Sequence, residues 1–154
     1  MKGILLIGLV ALAMMAAPTG AGMIDEKPLA APESATRAPL YERLGGRERI
    51  TAVVSDMVDA VAADPRLSGR FSGANLPRLK AGFVEQFCEA AGGPCRYGGA
   101  EMKAVHAGMA ITDIEFEALL EALGRALERH PVSPEARSEL LSLIGQLRAQ
   151  IVGQ

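Results

Sequence analysis

Residues 81–112, AGFVEQFCEAAGGPCRYGGAEMKAVHAGMAIT, impose the tightest constraint on what this chain can become. An apolar helical run enters the segment and is stopped by Gly92-Gly93-Pro94, since neither the glycine pair nor the proline can continue a helix. A Tyr97-Gly98-Gly99 turn follows, then a short helical piece with His106 between Val105 and Ala107. Both cysteines, two of the four phenylalanines and one of only two histidines lie here. The chain must therefore double back at this point and set one imidazole among small apolar side chains, facing an apolar helix. That arrangement fits a metal ligand on the wall of a cofactor slot. A lone histidine on an apolar segment is also a common structural residue, and the segment by itself leaves both readings open.

Around this reversal the signals are helical. Leu40–Leu44 makes about one turn and is ended by Gly45-Gly46. Ile50, Val53, Val54, Met57, Val58 and Val61 then recur at spacings of three and four, the stripe of an amphipathic helix. Asp64-Pro65 ends that helix, because proline pushes its predecessor out of the helical region. Leu67–Phe71 is a short turn. Asn75 caps the next helix with Pro77 in its first turn, and Leu76, Leu79, Phe83, Phe87 and Ala90 form its expected apolar face, with Gln86 beside it. Thr112 caps a third long helix whose face is Phe116, Leu119, Leu120, Leu123 and Leu127, ending at His130-Pro131. Ser133 and Pro134 start the last helix, striped by Leu140, Leu141, Ile144, Leu147 and Ile151. No strand pattern is present. The expected fold is all-α: four main helices and one short histidine-bearing helix.

The 154 residues fit one domain. Only 4% are aromatic and none is Trp, so a core of Leu, Val, Ile and Ala is thin in large side chains. A flat bound cofactor would fill that gap, although an Ala/Leu-rich bundle needs none. Net charge is −2 and no basic stripe is present, which argues against nucleic acid as a partner.

At the amino terminus Met1-Lys2-Gly3 precedes an apolar run from Ile4 to Ala17. A membrane span needs about 20 apolar residues, so this run is short for one. With Pro18-Thr19-Gly20-Ala21 behind it, it fits a secretory signal peptide over residues 1–21, and an uncleaved anchor is the alternative. Residues 22–38, rich in Pro, Ala and single charges, read as a flexible linker, and residues 39–154 as the folded domain. Export makes the protein periplasmic or secreted. Cys88 and Cys95 then become a candidate disulfide across the reversal, closing too short a loop to add much chain-entropy stabilisation. A redox-sensitive thiol pair is a second reading. Zinc binding lacks partner ligands. His130, at a helix end, reads as a cation favoured by the helix dipole.

Several landmarks fall in one order and spacing: Leu40-Tyr41-Glu42-Arg43-Leu44-Gly45-Gly46, Ala63-Asp64-Pro65-Arg66-Leu67, Gly92-Gly93-Pro94, Tyr97-x-Gly99 and Met102-Lys103-x-x-His106-Ala107-Gly108. In that order the chain, from about Leu40 to Val152, resembles the truncated haemoglobins, and among them group I. The resemblance implies a shortened globin fold, two helices packed over two, around one haem b. It assigns His106 as the proximal ligand of the iron. A backbone carbonyl would have to orient the other ring nitrogen, since no carboxylate is near in sequence. It places Phe71 against the haem ring, Leu79 and Phe83 on the distal wall, and Met102, Ile111 and Phe116 in the pocket lining. Lys80 and Tyr97 match positions that reach the propionates.

Two departures stand out. Val58 occupies the position where many members carry a distal tyrosine, and Phe83 that of a distal glutamine. Neither can donate a hydrogen bond to a gas ligand. Gln86 is the one polar side chain near that face that could replace the donor. The resemblance implies a protein that binds O2, NO or CO on an apolar distal side, by family an oxygen carrier or scavenger. Two rival functions accompany it: a redox enzyme for nitric oxide or peroxide chemistry with an external reductant, and a haem-free helical interaction domain.

Overall fold

The computed structural model describes residues 37–154. The expected signal peptide and all but the end of the expected linker lie outside the described residues. The helices are α1 (Leu40–Arg43), α2 (Gly46–Ala63), α3 (Ser68–Phe71), α4 (Leu76–Ala90), α5 (Met102–His106), α6 (Asp113–Glu128), α7 (Pro134–Gly145) and α8 (Arg148–Ile151). Among the described residues the only β pairing is an isolated bridge between Ile111 and Val152. The expected all-α class holds.

Most boundaries follow from the residues that cap them. Gly45 precedes α2 at φ 89°, a left-handed conformation open to glycine. Asp64 leaves α2 in extended geometry ahead of Pro65. The Asn75 side chain accepts from the Arg78 amide, and Thr112 with Glu115 forms a reciprocal capping box at the start of α6. Ser133 caps α7 through the Ala136 amide. The last helix differs from expectation: it breaks after Gly145, and Ile151 belongs to the separate short α8.

α2 packs against both α4 and α6, and α6 against α7. The whole predicted stripe of α2 is buried, Ile50, Val53, Val54, Met57, Val58 and Val61 each at 2% exposure or less. Leu123, Leu127, Leu140 and Ile144 close the core from the other side. Small residues let these helices approach closely, with Ala118, Ala122 and Ala126 buried on α6.

α4 corrects the expected apolar face. Ala90 is exposed, and the fully buried residues are Val84, Phe87 and Cys88. Leu76, Leu79, Phe83 and Gln86 form a second strip that is only partly buried. At 3.6 residues per turn these two strips lie side by side. One seals the core, and the other forms a half-open apolar ledge beside it. Phe83 and Phe87 bridge the two strips with ring centroids 5.6 Å apart at 57°.

Candidate haem-binding site

The reversal after α4 is built tightly. Cys88 and Cys95 are joined by a disulfide with Cα atoms 5.7 Å apart, and both are buried. The Gly93 amide donates to the Cys88 carbonyl at 2.8 Å. A Cβ on Gly93 would meet the Tyr41 ring at 2.5 Å and Cys88 Sγ at 2.7 Å, so only glycine fits beside the bridge. Tyr41 also donates its amide to the Ala91 carbonyl and accepts the Arg47 amide on its hydroxyl. Arg47 donates to Cys95 Sγ at 3.0 Å and pairs with Glu85. The disulfide therefore sits inside a small network that joins α1, α2 and α4.

From this pinned reversal the chain reaches α5. The Tyr97 amide is held by Glu89 at 3.1 Å, and its ring lies over Gly99, where any Cβ would fall 2.2 Å from the phenol. His106 ends α5 and is partly buried. Its Nδ1 lies 2.7 Å from the Met102 carbonyl. A carbonyl only accepts, so Nδ1 carries a proton, and in the neutral imidazole the lone pair is therefore on Nε2. That is the tautomer a metal needs, set by the backbone carbonyl the sequence reading required.

The other expected site residues are placed as follows. Phe71, Leu79 and Phe83 are partly buried and pack on the core from its edge. Met102 and Ile111 are partly buried on α5 and after it, while Phe116 is 2% exposed beneath the Arg148 guanidinium, 4.9 Å from its ring centre. Val58 is 1% exposed within the core. The Gln86 amide nitrogen donates to Met102 Sδ at 3.2 Å, tying α4 to α5, so the one candidate replacement donor has one of its two N–H groups engaged there. Lys80 is held by α2, through Ser55 at 2.9 Å and Asp59 at 2.8 Å. His130 pairs with Asp56 at 3.1 Å, joining the end of α6 to α2. That contact spans 74 residues of sequence and has no local signal.

The turn after His106 was not legible as a unit in the sequence. Gly108 and Ala110 both have positive φ, 78° and 48°. Arg70 of α3 donates to the Met109 carbonyl at 2.7 Å and forms a fork with Glu115 at 2.6 and 3.1 Å. Arg70 first, then the Thr112 amide, holds the Glu115 carboxyl down at about 2. From the carboxyl-terminal side, Ala110 donates to the Gln154 carbonyl and Gly153 to that of Ile111.

These residues fit a haem. His106 Nδ1 is engaged by its own helix, and the half-open apolar strip of α4 is tied to that helix through Gln86 and Met102. Among the described residues no three metal-binding side chains cluster. An all-α fold of packed helices, with one imidazole oriented by its own short helix and a half-open apolar strip on the helix tied to it, fits a cofactor-binding helical protein of the globin kind.

The model of the bacterial-like globin family matches residues 39–152. A group 1 truncated hemoglobin GlbN of Mycolicibacterium paratuberculosis is 42% identical over 125 residues, covering 81% of this chain and 92% of that protein. The GlbN of a Nostoc species is 28% identical, covering 75% and 98%. The truncated hemoglobin of Tetrahymena pyriformis in its Fe(III) form superposes with a TM-score of 0.72 at 27% identity, covering 75% of this chain and 98% of that one. The 2/2 hemoglobin of Synechococcus sp. PCC 7002, in the cyanomet state with covalently attached heme, gives 0.70 at 29% identity, with coverage of 75% and 98%. The chain belongs to the bacterial-like globin family, among the group 1 truncated haemoglobins. As such it binds haem and a diatomic gas.

Proposed function

We propose that this is an exported truncated haemoglobin that holds haem b through His106 Nε2 and binds diatomic gases on an apolar distal side with fast exchange. The observation that carries the reading is the 2.7 Å contact from His106 Nδ1 to the Met102 carbonyl, on a short helix tied through Gln86 to the half-open strip of α4. The haem, when bound, supplies an iron that accepts a diatomic ligand. The chain's own residues do the rest. The Met102 carbonyl fixes the ring and raises the basicity of Nε2. Phe71, Leu79 and Phe83 exclude water from the slot and offer the ligand no donor. Lys80 would have to leave Ser55 and Asp59 to reach a propionate, and Tyr97 would have to turn its phenol from Gly99.

The distal side decides between storage and exchange. A hydrogen bond to a strongly polarised acceptor contributes about 1.5–3 kcal/mol. Its absence speeds ligand release by roughly one to two orders of magnitude if it falls wholly on the off-rate. Val58 and Phe83 cannot supply it, and the Gln86 amide is turned to Met102. General acid–base work on peroxide would need a polar distal group, and neither Leu79 nor Phe83 is one. An external reductant that returns oxidised iron to the ferrous state is part of the proposal.

Export is supported by the residue 1–21 pattern and by the Cys88–Cys95 disulfide, a bond that persists in oxidising compartments. Among the described residues no helix is long and apolar enough to cross a membrane.

The test is an absorption spectrum of the reduced protein with and without carbon monoxide, followed by stopped-flow oxygen release. A Soret band that shifts with carbon monoxide and rapid release are expected. Slow release would mean that a donor reaches the ligand after all.

A further inference from the structure

We infer that Arg70 is a positioning residue for the proximal histidine: it straps the turn that leaves His106 to α3 and α6 and so fixes the direction in which the imidazole presents Nε2. This rests on the haem reading above.

Four donor–acceptor contacts carry it. Arg70 Nη1 donates to the Met109 carbonyl at 2.7 Å, and Nη2 reaches the Ala110 carbonyl at 3.4 Å. Nε and Nη2 meet the two oxygens of Glu115 at 2.6 and 3.1 Å. A guanidinium fork can engage a carboxylate and a carbonyl at once because its donors are coplanar and fixed. Glu115 is itself fixed, since its Oε2 accepts from the Thr112 amide and hydroxyl at 2.8 and 2.9 Å. Arg70 is therefore anchored on the first turn of α6 and pulls on the backbone three and four residues beyond His106.

That backbone needs holding. The Met109 amide donates to the His106 carbonyl at 3.0 Å, so any movement of the turn is passed to the histidine's own peptide. Ala110 has φ 48°, a conformation alanine keeps only where its surroundings impose it. Arg70 imposes it from one side. The carboxyl terminus does so from the other, where Gln154 accepts the Ala110 amide at 2.8 Å. The neighbour of Arg70 on α3 is Phe71, assigned by resemblance to the haem ring. One four-residue helix thus carries a ring-packing side chain and the strap on the histidine's exit.

A surface ion pair without this role is the rival, because the Arg70 side chain is 39% exposed. The two differ in what they move. The experiment compares the haem-loaded parent with Arg70→Leu and Arg70→Lys. It reads the ferrous iron–histidine stretching frequency, the rate of haem transfer to an acceptor globin and the melting temperature. In the haem-free proteins it reads amide exchange over Met109–Thr112. Arg70→Leu is expected to shift the stretching frequency, to speed haem loss roughly tenfold, the equivalent of one charge-assisted hydrogen bond, and to deprotect the Ala110 amide. Arg70→Lys, which keeps the charge without the fork, is expected to recover only part of each. A lowered melting temperature with parental frequency and parental haem loss overturns the inference. If Arg70→Leu does not fold, Arg70→Lys alone decides by the same readouts. Retention of the parental iron–histidine signature by His106→Ala would instead bring down the haem-ligand reading itself.

Discussion

His106 Nδ1 stands 2.7 Å from the carbonyl of Met102, one helical turn earlier on the same five-residue helix. The orienting acceptor thus comes from the helix backbone, so no side-chain substitution can remove it. In the proposed function His106 is the protein's ligand to the iron. His106→Ala is expected to abolish the five-coordinate ferrous spectrum, and added imidazole to restore it. Absorption of the reduced protein checks both.

Phe83 offers the cleanest probe of the distal side. It is partly buried on the ledge, so a glutamine there opens no core cavity. Phe83→Gln is expected to slow oxygen release by roughly one to two orders of magnitude, read by stopped flow. Val58→Tyr is the poorer test. Val58 is 1% exposed in the core, and forcing a larger side chain into such a site costs about 1–3 kcal/mol.

Reducing the Cys88–Cys95 bridge frees the loop that leads to α5. The loop is short, with a sequence separation of 7, so the loss of stability is expected at the low end of the disulfide range, about 2 kcal/mol. Thermal melts with and without a dithiol reductant measure it.

Gly93→Ala is expected to destabilise by about 1–3 kcal/mol, since its Cβ would fall 2.8 Å from the Cys88 carbonyl oxygen as well as onto Tyr41 and Cys88 Sγ. Gly92→Ala, with open space around it but φ 78°, tests backbone strain alone. Denaturant unfolding of the pair separates crowding from strain.

Acid should loosen the turn after His106 through Glu115. Its carboxyl is held at about 2 in the folded protein, first by Arg70 and then by Thr112, against an ordinary value of 4.5. A depressed carboxyl contributes stability that is complete above the ordinary value and lost as pH falls through the folded one. The loss attributable to Glu115 is therefore expected between about 4.5 and about 2. Asp64, lowered by Arg66 from an ordinary 3.8 to about 2, loses its contribution between those two values. Glu115→Gln should flatten the stability–pH slope there, and urea unfolding at stepped pH would show it.

Much of this molecule was legible from local chemistry. Glycine and proline breaks, together with Asn75, Thr112 and Ser133, marked most of the helix ends because caps and stops act over one turn. The stripe of α2 named its buried residues because a helix flanked on two sides hides one continuous face. The family, and with it the role expected of His106, was readable because the landmarks keep a fixed order.

Tertiary structure decided the rest. Which strip of α4 seals the core and which stays half open depends on where α2 lies, not on the run of apolar residues, and so Ala90 is exposed while Val84 is not. Gln86 on Met102, His130 on Asp56 and Arg70 on Met109 are contacts across 16, 74 and 39 residues. Short-range pattern carries no information about such pairs, because each exists only once the helices between them have packed.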